Sequence, residues 1–438
     1  MVDFLFDISR VTSHQLERHR CRHGGMFPLS CWVQNYAWGK VGLDSEVAKL
    51  VLGGDPQTVI QDDRPYAELW MGAHPKGDAL IKDNRISQRT LGQWIADYPA
   101  CLGSKVKDTF QGQLPFLFKV LSVRTALSIQ AHPNRELAAK LHAQFPEHYP
   151  DNNHKPEMAI ALTEFEGLCG FRPVEEIISF LKSKYVPEFH ALVGNEAAEE
   201  MQNSRNNPER ASLALKKCFS RMMNCEKKVF VDQLNMLVKR VSEEEAVCKD
   251  TSGSNGELLL RLHSQYPGDI GCFSIYFLNH IMLQPGEAMF LGANEPHAYL
   301  SGDCVECMAC SDNTVRAGLT PKYIDVNTLC EMLNYSPAPV SAKIFPSVQD
   351  PSDPCIHLYD PPVPDFTVMR IQIPPSVKQY TMSPLDCASI LLVIHGEAST
   401  LSDIMLHRGS VLFISANESV TLQVTSSGMT MFRACCLL

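Results

Sequence analysis

No stretch of the chain reaches the roughly 18 uncharged apolar residues that a membrane-spanning helix needs, so no membrane partner is expected. Excess positive charge is absent as well: 39 lysines and arginines stand against 49 aspartates and glutamates, a formal net charge of −10. A general nucleic-acid binder wants a basic surface, so no nucleic-acid partner is expected either. A small anionic substrate stays open, because a few cations in one cleft suffice. There is no dense cysteine framework of the kind that staples small secreted domains. The 16 cysteines are scattered and read as reduced thiols, which points to the cytoplasm. The first 25 residues carry Asp3 and Asp7 and no long apolar core, so they are expected to make a poor secretory signal. The cluster His19-Arg20-Cys21-Arg22-His23 could bind a metal, but a loosely ordered extension over residues 1–25 is the expectation.

What is present is the make-up of a globular enzyme, 45% apolar and 20% charged. At 438 residues the chain exceeds what one core normally supports, and two or three domains are expected. Residues 26–60 open with FPLSCWVQNYAWG, a β-rich run in which Trp38 either lines a sugar face or packs half-buried. In PYAELWMGAHPKGDA (65–79), Glu68 and Trp70 alternate with Ala67 and Leu69, as in a strand with one polar face. His74 precedes Pro75 and reads as a turn residue rather than a ligand. LPFLFKVLSVRTALSIQAHPN (114–134) reads as two strands buried on both faces. From 173 to 262 the apolar residues recur at three- and four-residue spacing, the mark of a helical insert.

The β character returns at 268–326, where Gly286, Gly292, Pro296 and Gly302 are expected to mark turns between short strands. GEAMFLGANEPHAYL (286–300) lies over GSVLFISANESVTLQ (409–423) without a gap, with His297 meeting Val420. Such internal similarity implies two copies of one β-barrel unit, the second without a metal. The Pro-rich segment 334–354 fits a junction between them. The expected division is therefore a first barrel from 26–172 and 263–335, a helical insert at 173–262, and a second barrel at 345–438.

Gln130 and His132 stand two residues apart, on one face of an extended segment. Pro133-Asn134 then breaks the strand and starts a helical excursion that brings Glu157 back. With His297 these form a set of nitrogen and oxygen donors without thiolate, which suits zinc in an open, catalytic site. His297 alone would read as structural; beside the other three it is a candidate ligand. The rival metal reading, Cys304-x-x-Cys307-x-x-Cys310, lacks a fourth partner and fits better as packing thiols. Between them lies Glu306, on the strand face of Cys304 and Met308, a candidate general base. Lys119 is the lone cation of its apolar run, either an edge residue or an anion contact assisted by Ser128. Arg316 and Lys322 in TVRAGLTPKY either bind a substrate anion and a developing oxyanion or form surface ion pairs.

The runs NYAWGK, PYAELWMGAHP, LPFLFKVLS, SIQAHP, NHKPEMAIAL, GEAMFL, PHAYLSGD and ECMACSDNTVRAGLTPK resemble the type I mannose-6-phosphate isomerases (phosphomannose isomerases) of animals, from about residue 26 to residue 438. The resemblance implies a mainly β fold of the cupin type: a catalytic jelly-roll barrel, an inserted α-helical domain and a second barrel. It implies reversible conversion of mannose 6-phosphate and fructose 6-phosphate by a monomer with one zinc per chain, feeding GDP-mannose synthesis. Carried over by position, the zinc ligands would be Gln130, His132, Glu157 and His297, and the active-site arginine Arg316. Lys119, Ser128, Lys155 and Lys322 would hold phosphate or a sugar oxygen, and Glu68, Tyr299, Glu306 and Asp312 match other cleft positions; Trp38, from its own aromatic run, is a further candidate for the sugar. Proton transfer between C1 and C2 through a cis-enediol is implied, with Glu306 preferred as base over Lys155 or a metal-bound water, and Arg316 stabilising the enediolate. The sequence departs from the family at the extension before Met26, and at Arg124 and Ala126, which stand where close relatives carry Glu and Pro.

Two other classes compete. A binding cupin that keeps its metal without turnover is disfavoured because Glu306, Arg316 and Lys322 all accompany the ligand set. An iron-dependent oxygenase would favour a histidine-rich shell.

Overall fold

The computed structural model describes residues 25–438, so the His19–His23 cluster lies outside the described residues. Period-two alternation decides the central sheet. In the strand Phe116–Val123 every residue is buried. Phe118 and Val120 enter a large core with Met158, Ile160, Val305 and Cys307. Leu121 enters a smaller core on the opposite face with Ala159, Cys304, Phe165, Cys169 and Tyr299. An apolar run with few polar interruptions is covered on both faces, as expected of such a pattern.

The hub is the 13-residue strand His297–Ala309. Its second half lies between Phe116–Val123 and Glu157–Ala161, with Glu306 opposite Lys119 on one side and Ala159 on the other. Its first half pairs with Phe165–Phe171, and His297 stands opposite Gln130 of the short strand Ile129–Ala131. Gly302 was expected to mark a turn between short strands. Instead it kinks one continuous strand, with φ of +109°. A Cβ there would stand 2.3 Å from the Glu164 carbonyl oxygen, so glycine permits the close crossing.

The helical insert runs from Val174–Lys182 to Gly256–Gln265. Its helices bury Ile177, Leu181, Leu215, Phe219, Met222, Leu237 and Leu259 in one shared core. Local signals agree with the packing: Asn207 caps Pro208–Met223 by accepting from the Arg210 N–H, with Pro208 at the first helical position. The insert is tied to the β region by Arg261, whose guanidinium donates to both oxygens of Glu166 at 2.5 and 2.7 Å.

The C-terminal region holds an eight-stranded and a four-stranded antiparallel sheet. Met26–Ser30 was expected with the first unit, yet it pairs with Val411–Ile414 of the C-terminal sheet. Phe27 stacks on Phe413 at 5.2 Å, which explains why this strand is drawn there. Elements around the internal repeat coincide residue for residue. Strand Ala288–Leu291 falls on Val411–Ile414, and both His297 and Val420 begin strands. Gly286 and Gly409 have φ of +89° and +86°, and Asn294 and Asn417 both have +65°. The Pro-rich segment is anchored rather than free: Phe345 N–H donates to the Ala288 carbonyl at 2.7 Å and Lys343 pairs with Glu295 at 2.5 Å. Among the described residues no helix is long and apolar enough to cross a membrane, and no disulfide joins two cysteines.

Candidate metal and substrate site

Two strands and one loop bring together His132, Glu157 and His297, all buried. The strand Ile129–Ala131 ends at His132 because Pro133 follows and Asn134 caps the helix Arg135–Gln144, accepting from the Leu137 N–H. His132 Nδ1 donates to the Asn313 carbonyl at 2.8 Å, and His297 Nδ1 donates to the Glu295 carbonyl at 2.8 Å. These bonds fix the tautomer and leave each Nε2 as a lone pair. Both Nε2 atoms lie 3.3 Å from Glu157 Oε2. Neither has a hydrogen-bond partner. Burial pushes the pKa of the His132 imidazole below its ordinary value. Burial opposes charge on Glu157, but His132 and Lys155 outweigh it and hold the carboxyl well below the usual range. Two lone pairs and a carboxylate aimed at one buried point repel one another unless a cation sits between them. The donor set fits a divalent metal such as zinc.

Gln130 joins the group by register, its Cα opposite both His297 and Arg316. Directly opposed residues share a face, so amide, imidazole and guanidinium rise from one side of three adjacent strands. Arg316 lines a pocket of about 220 Å³ with Lys322, His148, Tyr149 and Tyr323. Among the described residues no ion pair holds Arg316 or Lys322, so the surface ion-pair reading of these two cations is not supported.

The other wall carries buried charge. Lys119 was open as an edge residue or an anion contact. It lies inside the sheet, 3.5 Å from Glu68 Oε1 and over the Trp70 ring at 4.6 Å, which rules out the edge. Burial opposes its charge, but Glu68 and Glu306 outweigh it and raise its pKa. Glu306, facing Lys119, is pushed up to about 8 by burial and by the charge of Glu157. Lys155 stands 3.5 Å from Glu157 Oε1.

Family models place this geometry. Type I phosphomannose isomerase matches in three parts: the catalytic domain over residues 26–174, the helical insertion domain over 192–278 and the C-terminal part over 357–401. Mannose-6-phosphate isomerase of Bos taurus is 64% identical over 420 residues, spanning 94% of this chain and 99% of that protein. The chain belongs to the type I phosphomannose isomerases. It is accordingly an aldose–ketose isomerase. Among solved structures, a glutamate-to-alanine variant of phosphomannose isomerase from Salmonella typhimurium superposes with TM-score 0.78 at 30% identity, over 95% of this chain and 100% of that one. A mannose 6-phosphate isomerase bound with zinc and yttrium gives 0.77 at 31%, with the same coverage.

In this phosphomannose isomerase the remaining sequence candidates are more dispersed. Tyr299 is buried, and burial with the charge of Glu306 holds its phenol protonated. Asp312 pairs with His74 at 3.7 Å and is held at about 2 by that partner. His74 also closes a turn, its carbonyl accepting from the Gly77 N–H at 2.9 Å. Trp38 packs against the smaller core and stacks on Tyr36 at 5.8 Å. Ser128, half-buried, enters the strand that carries Gln130. Cys304 and Cys307 enter different cores on opposite faces, so the three-cysteine metal reading fails on strand alternation. Sequence reasoning missed the carbonyls of Asn313 and Glu295 that orient the two imidazoles. It also missed Asp151, whose carboxylate accepts from the Ser311 hydroxyl at 2.8 Å and the Asp312 N–H at 2.8 Å, shaping the turn that presents Asn313. Backbone acceptors leave no residue-type signal.

Proposed function

We propose that the chain interconverts mannose 6-phosphate and fructose 6-phosphate, using one zinc held by Gln130, His132, Glu157 and His297. The observation that carries this reading is the pair of buried, unpartnered Nε2 atoms facing Glu157. The zinc in a related structure supports the choice of metal. When bound, zinc supplies a Lewis acid that polarises sugar oxygens. Glu306 moves the proton between C1 and C2 through a cis-enediol. A carboxyl at about 8 is matched to taking and returning a proton near neutrality. Lys155 is the second candidate for that role, since its ammonium lies beside the same carboxylate cluster. Arg316 stabilises the enediolate, and Lys322 on the following loop meets the phosphate, with Lys119 and Ser128 as further contacts to phosphate or sugar oxygens. Trp38, Glu68, Tyr299 and Asp312 line the cleft.

The matched strands and torsion angles around residues 286–300 and 409–423 support two cupin-type jelly-roll barrels, the second metal-free because Val420 replaces His297. The same reading makes the chain a cytoplasmic monomer that supplies mannose donors for GDP-mannose synthesis, with no nucleic-acid or membrane partner. Isomerisation in D2O tests the chemistry. Deuterium should enter the product at the carbon that receives the proton, and Glu306→Gln should stop both exchange and turnover while metal content is kept. Turnover of Glu306→Gln at the parent rate would contradict Glu306 as the group that moves the proton.

A further inference from the structure

The insert does more than cover the β region. Its last helix runs into residues 265–269, and this short segment grips the chain just before the strand that carries Gln130 and just after the strand that carries Arg316. On the first side, the Gln265 side-chain oxygen accepts from the Ala126 N–H at 3.0 Å, and the Tyr266 hydroxyl donates to the Ala126 carbonyl at 2.5 Å. Proline cannot make the first of these bonds. On the second side stands Asp269. Its Oδ1 accepts from the Leu319 N–H at 2.7 Å and the Gly271 N–H at 2.7 Å, and its Oδ2 accepts from the Thr320 N–H at 3.0 Å.

Leu319 and Thr320 follow directly on the strand Val315–Gly318 that bears Arg316. The backbone there is strained. Leu319 has φ of +51°, an unfavourable conformation for a branched side chain. Gly318 has φ of +150°, and a Cβ on it would stand 2.6 Å from the Gly271 Cα. Such a turn persists only when its surroundings over-determine it, and three charge-assisted bonds to one carboxylate do so. The far end of the same loop is held by Asp325, which caps Val326–Met332 and accepts from the Tyr149 hydroxyl at 3.1 Å. Lys322 and Tyr323 stand exposed between the two anchors.

We infer that Asp269 is a positioning residue for Arg316: the helical insert sets the guanidinium by clamping the turn behind it. This rests on the proposed role of Arg316 in turnover. The clamp acts on chemistry rather than on metal, because none of its bonds reaches His132, Glu157 or His297.

The test is a double-mutant cycle on the zinc-loaded, full-length protein with mannose 6-phosphate, using Asp269→Ala, Arg316→Ala and both together. A displacement of about 1 Å at a catalytic group costs on the order of 10²-fold, so Asp269→Ala should lower kcat and kcat/KM by about that factor with zinc content unchanged. In the Arg316→Ala background the same change should cost little further, because its target is gone. Asp269→Asn keeps an acceptor for Leu319 and Gly271 but turns an amide donor toward Thr320. It should lose less, roughly 10-fold, and it carries the cycle if Asp269→Ala does not fold. Losses that multiply in the double variant, or that track a lost zinc, overturn the inference. Full turnover in Asp269→Ala with lost turnover in Arg316→Ala overturns it alone. Full turnover in Arg316→Ala overturns the Arg316 reading itself, and this inference with it.

Discussion

Removing the charge of Glu166 gives a test whose size and pH dependence both follow from the structure. Glu166 lies in the strand Phe165–Phe171 and accepts from Arg261 at 2.5 and 2.7 Å, from His280 at 2.7 Å and from Ser301 at 3.1 Å. Burial alone would raise its pKa, but Arg261 and His280 outweigh it and bring it to about 2. An unfolded glutamate titrates near 4.3, so the separation of about two pH units corresponds to roughly 3 kcal/mol. Arg261 and His280 keep side-chain exposures of 28% and 30%. Solvent screening therefore brings the expectation down to about 1–2 kcal/mol. Because the folded pKa is the lower one, this stability is present in full above about pH 5 and is lost as pH falls through about 4 towards 2. Glu166→Gln preserves shape and removes charge. In urea unfolding it should be less stable than the parent at pH 7, and the gap should narrow by about 1 kcal/mol at pH 3.5. A gap that is the same at both pH values, or no gap at pH 7, would refute the reasoning.

Three further outcomes are expected. His297→Ala should lose zinc and turnover together, since it removes a ligand and leaves Glu157 facing a single imidazole; metal analysis and an isomerase assay read both. Arg316→Ala should keep zinc and lose turnover, and normal activity would sink its assignment. Phe27→Ala should cost about 3–5 kcal/mol in unfolding free energy, because the ring is fully buried between Phe413 and Trp94, each 5.2 Å away. A change below about 1 kcal/mol would mean that the Met26–Ser30 strand is not an integral part of the C-terminal sheet.

Much of this was legible from sequence because periodicity and turn chemistry act locally. The insert announced itself in three- and four-residue spacing, and its helices Val174–Lys182 through Gly256–Gln265 follow that pattern. The gapless match of 286–300 with 409–423 anticipated paired glycines and paired left-handed asparagines at the same places. Gln130 and His132 were readable as neighbours on one face, and Pro133-Asn134 as the stop and cap that follow. What failed was non-local. Met26–Ser30 pairs with a strand about 385 residues away, and no pattern in five residues names that partner. Gly302 had the composition of a turn, but the crossing of the Glu164 backbone demanded a kink within one strand. Lys119 was ambiguous because its counter-charges, Glu68 and Glu306, arrive from two other strands. Asp269 and Asp151 accept from backbone N–H groups, and the two orienting carbonyls are themselves backbone, so the residue types at the other end of these bonds carry no trace.

The most direct test of the central claim is the isomerisation of mannose 6-phosphate before chelation, after it, and after zinc is restored. The account predicts activity that disappears with the metal and returns with zinc in proportion to one ion bound per chain. Activity indifferent to thorough metal removal would contradict the site built from Gln130, His132, Glu157 and His297, and a folded, zinc-loaded protein without turnover would contradict the isomerase reading itself.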